Sequence, residues 1–402
     1  MAIELSNLTF TEQDDIVPTS GVEQIVNTGI TNTLAGKDII TGTAIQGIAT
    51  PGLYDIVYGI YNSNTLNTND GNDIIMGICS EAEGDFNELV NYIGLYNDGG
   101  IIDTGDGDDT IIGTDNIPIY ENGEGGQTSF SAGFSSYMGT VDTGDGDDII
   151  MGTGQVLGFS SGYSTVDTGT GDDIIMGTSQ NTGIYLDYGT LDTGNGNDMI
   201  IGTGRYVGIS SLLDTFSTVD GNDTIIGDGI EGIGIAINYH LDTGDGNDII
   251  TGISTEGIYG ISNTSRGNPS DVFPTSIIDT GEGDDIITGI GSIGIYNEGT
   301  INTGNGQDSI IADGGFDGGG NVSLGNGKDY LKGFGSGNFN GGNGQDTLKL
   351  MSGSYTIGIS GTTVSFTKNS IIMNTSEFEK LIAGGTTYDF SSFTNGQTIF
   401  VA

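Results

Sequence analysis

The groups in this sequence best placed to do chemistry are carboxylates set between glycines, as in Thr143-Gly144-Asp145-Gly146-Asp147-Asp148 and Thr280-Gly281-Glu282-Gly283-Asp284-Asp285. Glycines permit positive φ and let main-chain carbonyls approach whatever the carboxylates hold. A mixture of carboxylate and carbonyl oxygens, roughly six to eight at about 2.3–2.6 Å, is what Ca2+ takes. One such segment alone reads as a hairpin turn. Aligned on Gly-x-Asp-x-aliphatic, however, the closing acid recurs as Asp38, Asp73, Asp109, Asp148, Asp173, Asp198, Asp223, Asp248, Asp285, Asp308, Asp329 and Asp346. Copies repeated in one register make a row of sites, and several Ca2+ ions are the expected cofactor.

The candidate metal ligands are the paired loop glycines and the acid that closes each loop: Gly105, Gly107 and Asp109; Gly144, Gly146 and Asp148; Gly169, Gly171 and Asp173; Gly194, Gly196 and Asp198; Gly244, Gly246 and Asp248; Gly281, Gly283 and Asp285; Gly304, Gly306 and Asp308; Gly325, Gly327 and Asp329; Gly342, Gly344 and Asp346. In three other loops the first glycine is replaced, by Leu34, Asn69 and Val219; of their acids, Asp73 and Asp223 stay among the candidates. No catalytic group stands out, because paired acids such as Asp147 and Asp148 recur from copy to copy as ligands do. His240 reads as a packing or surface residue and the lone Cys79 as a small buried apolar one. An EF-hand is excluded because no Glu closes a loop of the right length, and Gly327-Lys328-Asp329 lacks the spacing and Ser/Thr of a phosphate-binding loop. The chain is expected not to be an enzyme.

Two apolar columns must position these loops. Two residues after the acid each copy has Ile or Leu, from Ile40 and Ile75 through to Leu331 and Leu348. Seven residues before it stand Leu66, Ile102, Val141, Val166, Leu191, Phe216, Leu241, Ile278, Ile301, Val322 and Phe339, with Thr31 in the first copy. Each column is the buried stripe of a strand. A third apolar stretch starts upstream at Gly94, Gly158, Gly183, Gly208 and Gly294. Three short strands cannot bury their apolar sides alone, so successive coils must stack. The step is 25 residues from Asp148 to Asp248; steps of 35, 36, 39 and 37 read as a coil plus an insertion, and the last steps shorten to 23, 21 and 17. The expected fold is all-β: a right-handed parallel β-solenoid of about twelve coils with a small antiparallel carboxyl-terminal cap. The Thr column (Thr68, Thr104, Thr143, Thr168, Thr193, Thr218, Thr243, Thr280, Thr303) reads as an outward, β-favouring row.

Composition agrees with bound cations. The 402 residues hold 54 Asp plus Glu against 8 Lys plus Arg, a formal charge of −46, which strains a compact fold without counterions and makes nucleic acid an unsuitable partner. The amino terminus lacks a basic segment and an apolar stretch of signal-peptide length, and no run reaches membrane-spanning length. Export by another signal is expected.

Gly105-Asp106-Gly107-Asp108-Asp109-Thr110-Ile111 and Gly281-Glu282-Gly283-Asp284-Asp285-Ile286-Ile287 resemble the repeats-in-toxin nonapeptide from its second glycine onward, over residues 34 to 350. The resemblance implies a parallel β-roll with Ca2+ between stacked loops, and release to the extracellular space or cell surface by type I secretion. The family carries a metal loop on both edges of a coil, whereas here one edge alone is expected to bind. Residues 1–33 are expected to cap the solenoid, and 351–402, including Phe378 to Ile382 and Ile399 to Ala402, resemble the family's carboxyl-terminal cap and uncleaved signal. The role expected is a structural layer, sheath or matrix component partnered by calcium and by further copies of itself, and repeat phrases such as EGTINTGNGQDSI resemble those of filamentous cyanobacteria. Two alternatives stand beside it. One is an adhesion module for polysaccharide, cells or ice using aromatic segments at Tyr54 to Tyr61, Phe130 to Tyr137 and Pro269 to Pro274; the other is a β-helical lyase or epimerase, with Arg205 and Arg266 as its scant basic groups.

Overall fold

The computed structural model describes residues 2–18, 23–45, 56–80, 91–117, 131–264 and 275–402. Apart from two three-residue 3-10 turns, its regular structure is strand. The chain forms two compact units, residues 1–205 and 206–402, and each is a β-solenoid with parallel sheets.

In the first unit each coil passes through three sheets. The first sheet takes strands such as Asn91–Asp98, Ser131–Tyr137, Leu157–Gly162 and Thr182–Asp187. The second takes Ile101–Asp103, Thr140–Asp142, Thr165–Asp167 and Thr190–Asp192. After the acidic loop the third takes Thr110–Asp115, Ile149–Gly154, Ile174–Ser179 and Met199–Gly204. Register follows the sequence columns: Ile111 pairs with Ile150, Ile150 with Ile175 and Ile175 with Ile200, all fully buried. Parallel pairing begins before residue 34, Ile3–Glu4 lying against Ile25 and Val26, and Ile16–Val17 against Ile39 and Ile40.

The third apolar stretch supplies a third inward column, Ile60, Leu95, Phe134, Phe159 and Ile184, in which the Phe134 and Phe159 rings stack 5.1 Å apart. Beside it the first and third sheets touch through glycine. A Cβ on Gly177 would lie 2.2 Å from the Gly183 carbonyl oxygen, and one on Gly152 equally close to that of Gly158. The coil is thin there because no side chain fits between the two backbones.

The second unit repeats the plan with Val207–Leu212, Ile233–Ile237, Tyr259–Asn263 and Ile293–Asn297 in its first sheet. As its coils shorten, the loops themselves pair, Asn305–Gly306 with Asn326–Gly327 and then Asn343–Gly344. The carboxyl-terminal strands turn antiparallel, Gly353–Ser360 lying between Thr363–Lys368 and Thr398–Val401. His240 sits mid-sheet between Thr215 and Ile277, its ring edge-on to Tyr239.

The extra residues of the first three long coils fall between a third-sheet strand and the next first-sheet strand, and those of the fourth between Tyr259–Asn263 of the first sheet and Ile277–Asp279 of the second. Tyr54, Phe130, Arg266 and Pro269 to Pro274 belong to those stretches and lie outside the described residues. The Thr column corrects the outward reading: all nine side chains are buried. The Thr68, Thr104, Thr143, Thr168, Thr218 and Thr303 hydroxyls donate to a carbonyl of the next coil, and those of Thr243 and Thr280 to the acid of their own loop. Strand alternation continues through the column, so Val166 faces inward, Asp167 outward and Thr168 inward again.

Candidate metal centre

The loop begins where the second-sheet strand ends. Asp or Asn there accepts an N–H two residues on, as Asp167 Oδ1 does from Gly169 and Asn67 Oδ1 from Asn69, which bends the chain out of the sheet. The next backbone unit takes positive φ, +80° at Gly105 and +85° at Gly144. A Cβ on Gly144 would come within 2.0 Å of the Gly105 carbonyl oxygen, so stacked loops meet backbone to backbone. Leu34, Asn69 and Val219, which replace glycine, adopt the same left-handed conformation at +71°, +59° and +59°.

Each loop ends by turning its closing acid inward, and the acids form a ladder within each unit. In the first, the backbone N–H of Asp38 donates to Asp73 Oδ1, Asp73 to Asp109, and Asp109 to Asp148, each at 2.7 Å; Asp148 to Asp173 and Asp173 to Asp198 continue it at 2.8 and 2.9 Å. In the second, the ladder runs from Asp223 through Asp248, Asp285, Asp308 and Asp329 to Asp346 at 2.8–3.0 Å. The Asp15 N–H bonds Asp38 at one end, and Glu379 Oε2 accepts from the Asp346 N–H at the other. Neither end was visible in the repeat pattern, because Asp15 and Glu379 lie outside it.

In the acids from Asp38 to Asp198 and from Asp248 to Asp346, one carboxylate oxygen is thus committed to the backbone. The other, Oδ2, is buried without a hydrogen-bond partner in Asp38, Asp73, Asp109, Asp148 and Asp173, and in Asp308, Asp329 and Asp346. Burial is the largest cause in pushing Asp109 up to about 8, Asp148, Asp248 and Asp329 to about 7, and Asp73, Asp173, Asp285 and Asp308 to about 6. Neighbouring acids of the ladder add to the shift, as Asp148 and Asp73 do for Asp109. The Lys332–Asp313 and Lys380–Asp389 ion pairs engage other acids.

A second ladder, which the sequence reading missed, runs on the exposed side of the loops: Asp108 Oδ1 accepts from the Asp147 N–H, Asp147 from Asp172, and Asp172 from Asn197. A buried amide ladder, Asn27 to Asn62 to Asn97 at 2.8 Å per step, was also missed, although Asn62 and Asn97 end the phrases Gly59-Ile60-Tyr61-Asn62 and Gly94-Leu95-Tyr96-Asn97. Among the described residues no three His, Cys, Asp or Glu side chains gather in one cluster. A cation held here would therefore draw on loop carbonyls as well as on a buried Oδ2, a donor set that suits Ca2+ rather than a softer metal. The unpartnered buried oxygens fit that group. No helix among the described residues is long and apolar enough to cross a membrane.

No family model matches this sequence, and no curated protein does. Among solved structures it is similar to a hyperactive, Ca2+-dependent, β-helical antifreeze protein from an Antarctic bacterium, at 18% identity over 96% of each chain and a TM-score of 0.42.

Proposed function

We propose that this chain is a calcium-stabilised β-solenoid of the repeats-in-toxin kind, serving as a structural component of an extracellular layer, sheath or matrix. What carries the reading is the row of buried Asp Oδ2 atoms left without a partner in each unit. Like charges one coil apart repel unless protonated or bridged by a cation, and a formal charge of −46 makes the need general. Asp38 to Asp198 in the first unit and Asp223 to Asp346 in the second supply the carboxylates, with loop glycine carbonyls completing the shell; the bound ion contributes charge neutralisation and cross-linking of stacked loops.

Residues 1–33 and 351–402 serve as end caps in this reading, the latter also as the export signal. Assembly with further copies is favoured by the outward side of the third sheet in the first unit. There Ile149, Met151, Thr153 and their counterparts in neighbouring coils carry no charge in a strongly acidic protein. Circular dichroism and calorimetry of purified protein in millimolar Ca2+, in Mg2+ and in excess chelator test the proposal. The expected outcome is loss of β signal and of the cooperative melt in chelator, restored by Ca2+ and not by Mg2+. An unchanged melt in chelator, with no calcium copurifying, would overturn it.

A further inference from the structure

Away from the loops, the first unit carries a recess built on the outward side of its first sheet. Parallel register places Tyr61, Tyr96, Ser135, Ser160 and Tyr185 in one outward column. Two serines therefore interrupt a run of tyrosines and vacate about 10 Å along the column at the usual strand spacing. The result is a cavity of about 320 Å3, floored by Ser135 and Ser160, with Tyr96 and Tyr185 at its ends and Tyr137 and Tyr163 on its rim. The floor is deep, the two serines being 3% and 6% exposed, while the Tyr137 and Tyr163 rings are 40% and 51% exposed.

The aromatic rim separates this recess from ordinary surface packing. The rim tyrosines form an ordered array, with Tyr163 edge-on to Tyr137 at 6.1 Å and stacked on Tyr188 at 5.1 Å with 4° between the planes. The turn that carries Tyr163 and Tyr188 is left-handed throughout these coils, φ +52° and +57° there, +54° at Met138, +62° at Leu213 and +68° at Gly99.

The lining combines flat ring faces, the aliphatic Ile56 and Ile93, hydroxyls, the Asn91 amide and the carboxylate of Asp187, with no Lys, Arg or His among the described residues. Asp98, near one end, is engaged by the Tyr61 hydroxyl. Such a site suits a ligand with apolar faces and hydroxylated edges and disfavours an anionic one. We propose that the recess binds a neutral pyranose chain, its sugar faces lying against the Tyr137 and Tyr163 rings and its hydroxyls meeting Ser135, Ser160 and Asp187. The volume accommodates about one or two sugar rings. The inference does not depend on the calcium reading.

The test is titration calorimetry of the full chain in Ca2+ with chitohexaose and cellohexaose, alongside hexagalacturonate and tetramethylammonium, with tyrosine emission as a second signal in this Trp-free protein. Ser160→Tyr extends the existing tyrosine column and fills the recess, and Tyr163→Ala removes a rim ring without touching the core. Binding of a neutral hexasaccharide that falls at least about tenfold in each variant, with dichroism and melting retained, is the expected result. No heat with either neutral sugar at millimolar concentration, equal binding by both variants, or binding of the anionic or ammonium probe alone would overturn the proposal. If Ser160→Tyr does not fold, Tyr163→Ala decides. Because folding is followed separately, failure to bind sugar is distinguishable from failure of the calcium requirement.

Discussion

Buried acids in this protein fall into two kinds, those stacked in the ladders and those that stand outside them, such as Asp115. Asp115 is 1% exposed and has partners for both oxygens, the Ser131 hydroxyl on Oδ2 and the Ile117 N–H at 2.9 Å on Oδ1. It needs no cation, and its burial is expressed as a pH dependence. Desolvation raises its pKa from 3.8 to about 6, outweighing the two hydrogen bonds, so between those values the folded state holds a proton that the unfolded state has lost. Its contribution to stability is full below about pH 4 and is lost as pH rises through 6, a difference of about 2–3 kcal/mol. Asp115→Asn, which keeps the shape and an acceptor for Ile117, is expected to be more stable than the parent at pH 7 and equal to it near pH 4. Chemical denaturation at the two pH values measures this; a variant destabilised equally at both would show that burial of the charge is not the cost. The ladder acids are stacked one coil apart, and Oδ2 of acids such as Asp73 and Asp109 has no partner, so the need for a cation falls on them and not on Asp115.

At the scale of the strand and loop, repetition decided what was legible. The Ile and Leu column two residues after each acid declared the third sheet, and the register pairs those residues across coils. The placement of the loops on one edge was legible for the same reason. Glu379 was not, because a residue that caps the ladder once leaves no periodic trace. The Thr column was misread because residue preference was followed instead of alternation; Thr168 shares the inward side with Val166 two residues earlier. The glycine column at Gly152 and Gly177 was visible in sequence, but only the structure shows it facing Gly158 and Gly183 across the coil. Gly177→Ala tests that close approach without altering any acid. Its Cβ would sit 2.2 Å from a backbone oxygen that cannot move alone, so the loss is expected to reach at least about 3 kcal/mol, read as a lowered denaturation midpoint in Ca2+. Thr178→Ala, next along the chain on the outward side, should change stability by less than about 1 kcal/mol. Similar effects from the two substitutions would refute the pinched cross-section.

For the whole molecule, the question is whether −46 charges call for calcium specifically or for ionic strength in general. Exposed loop acids such as Asp106, Asp108, Asp145 and Asp147 repel through solvent, and dissolved salt screens them, the Debye length shrinking to about 3 Å at 1 M. The ladder acids are 0–1% exposed and mobile ions do not reach them, so salt leaves the cost of their burial in place. The two populations predict different responses from protein held in chelator. Raising NaCl from low concentration to about 1 M should recover part of the thermal stability, several degrees at most, by quieting the surface. Millimolar Ca2+ at low salt should recover all of it, because a bound ion can bridge the buried oxygens that screening cannot reach. If 1 M NaCl alone restored the full melting temperature, the surface acids would account for the whole effect and the ladders would not be holding metal.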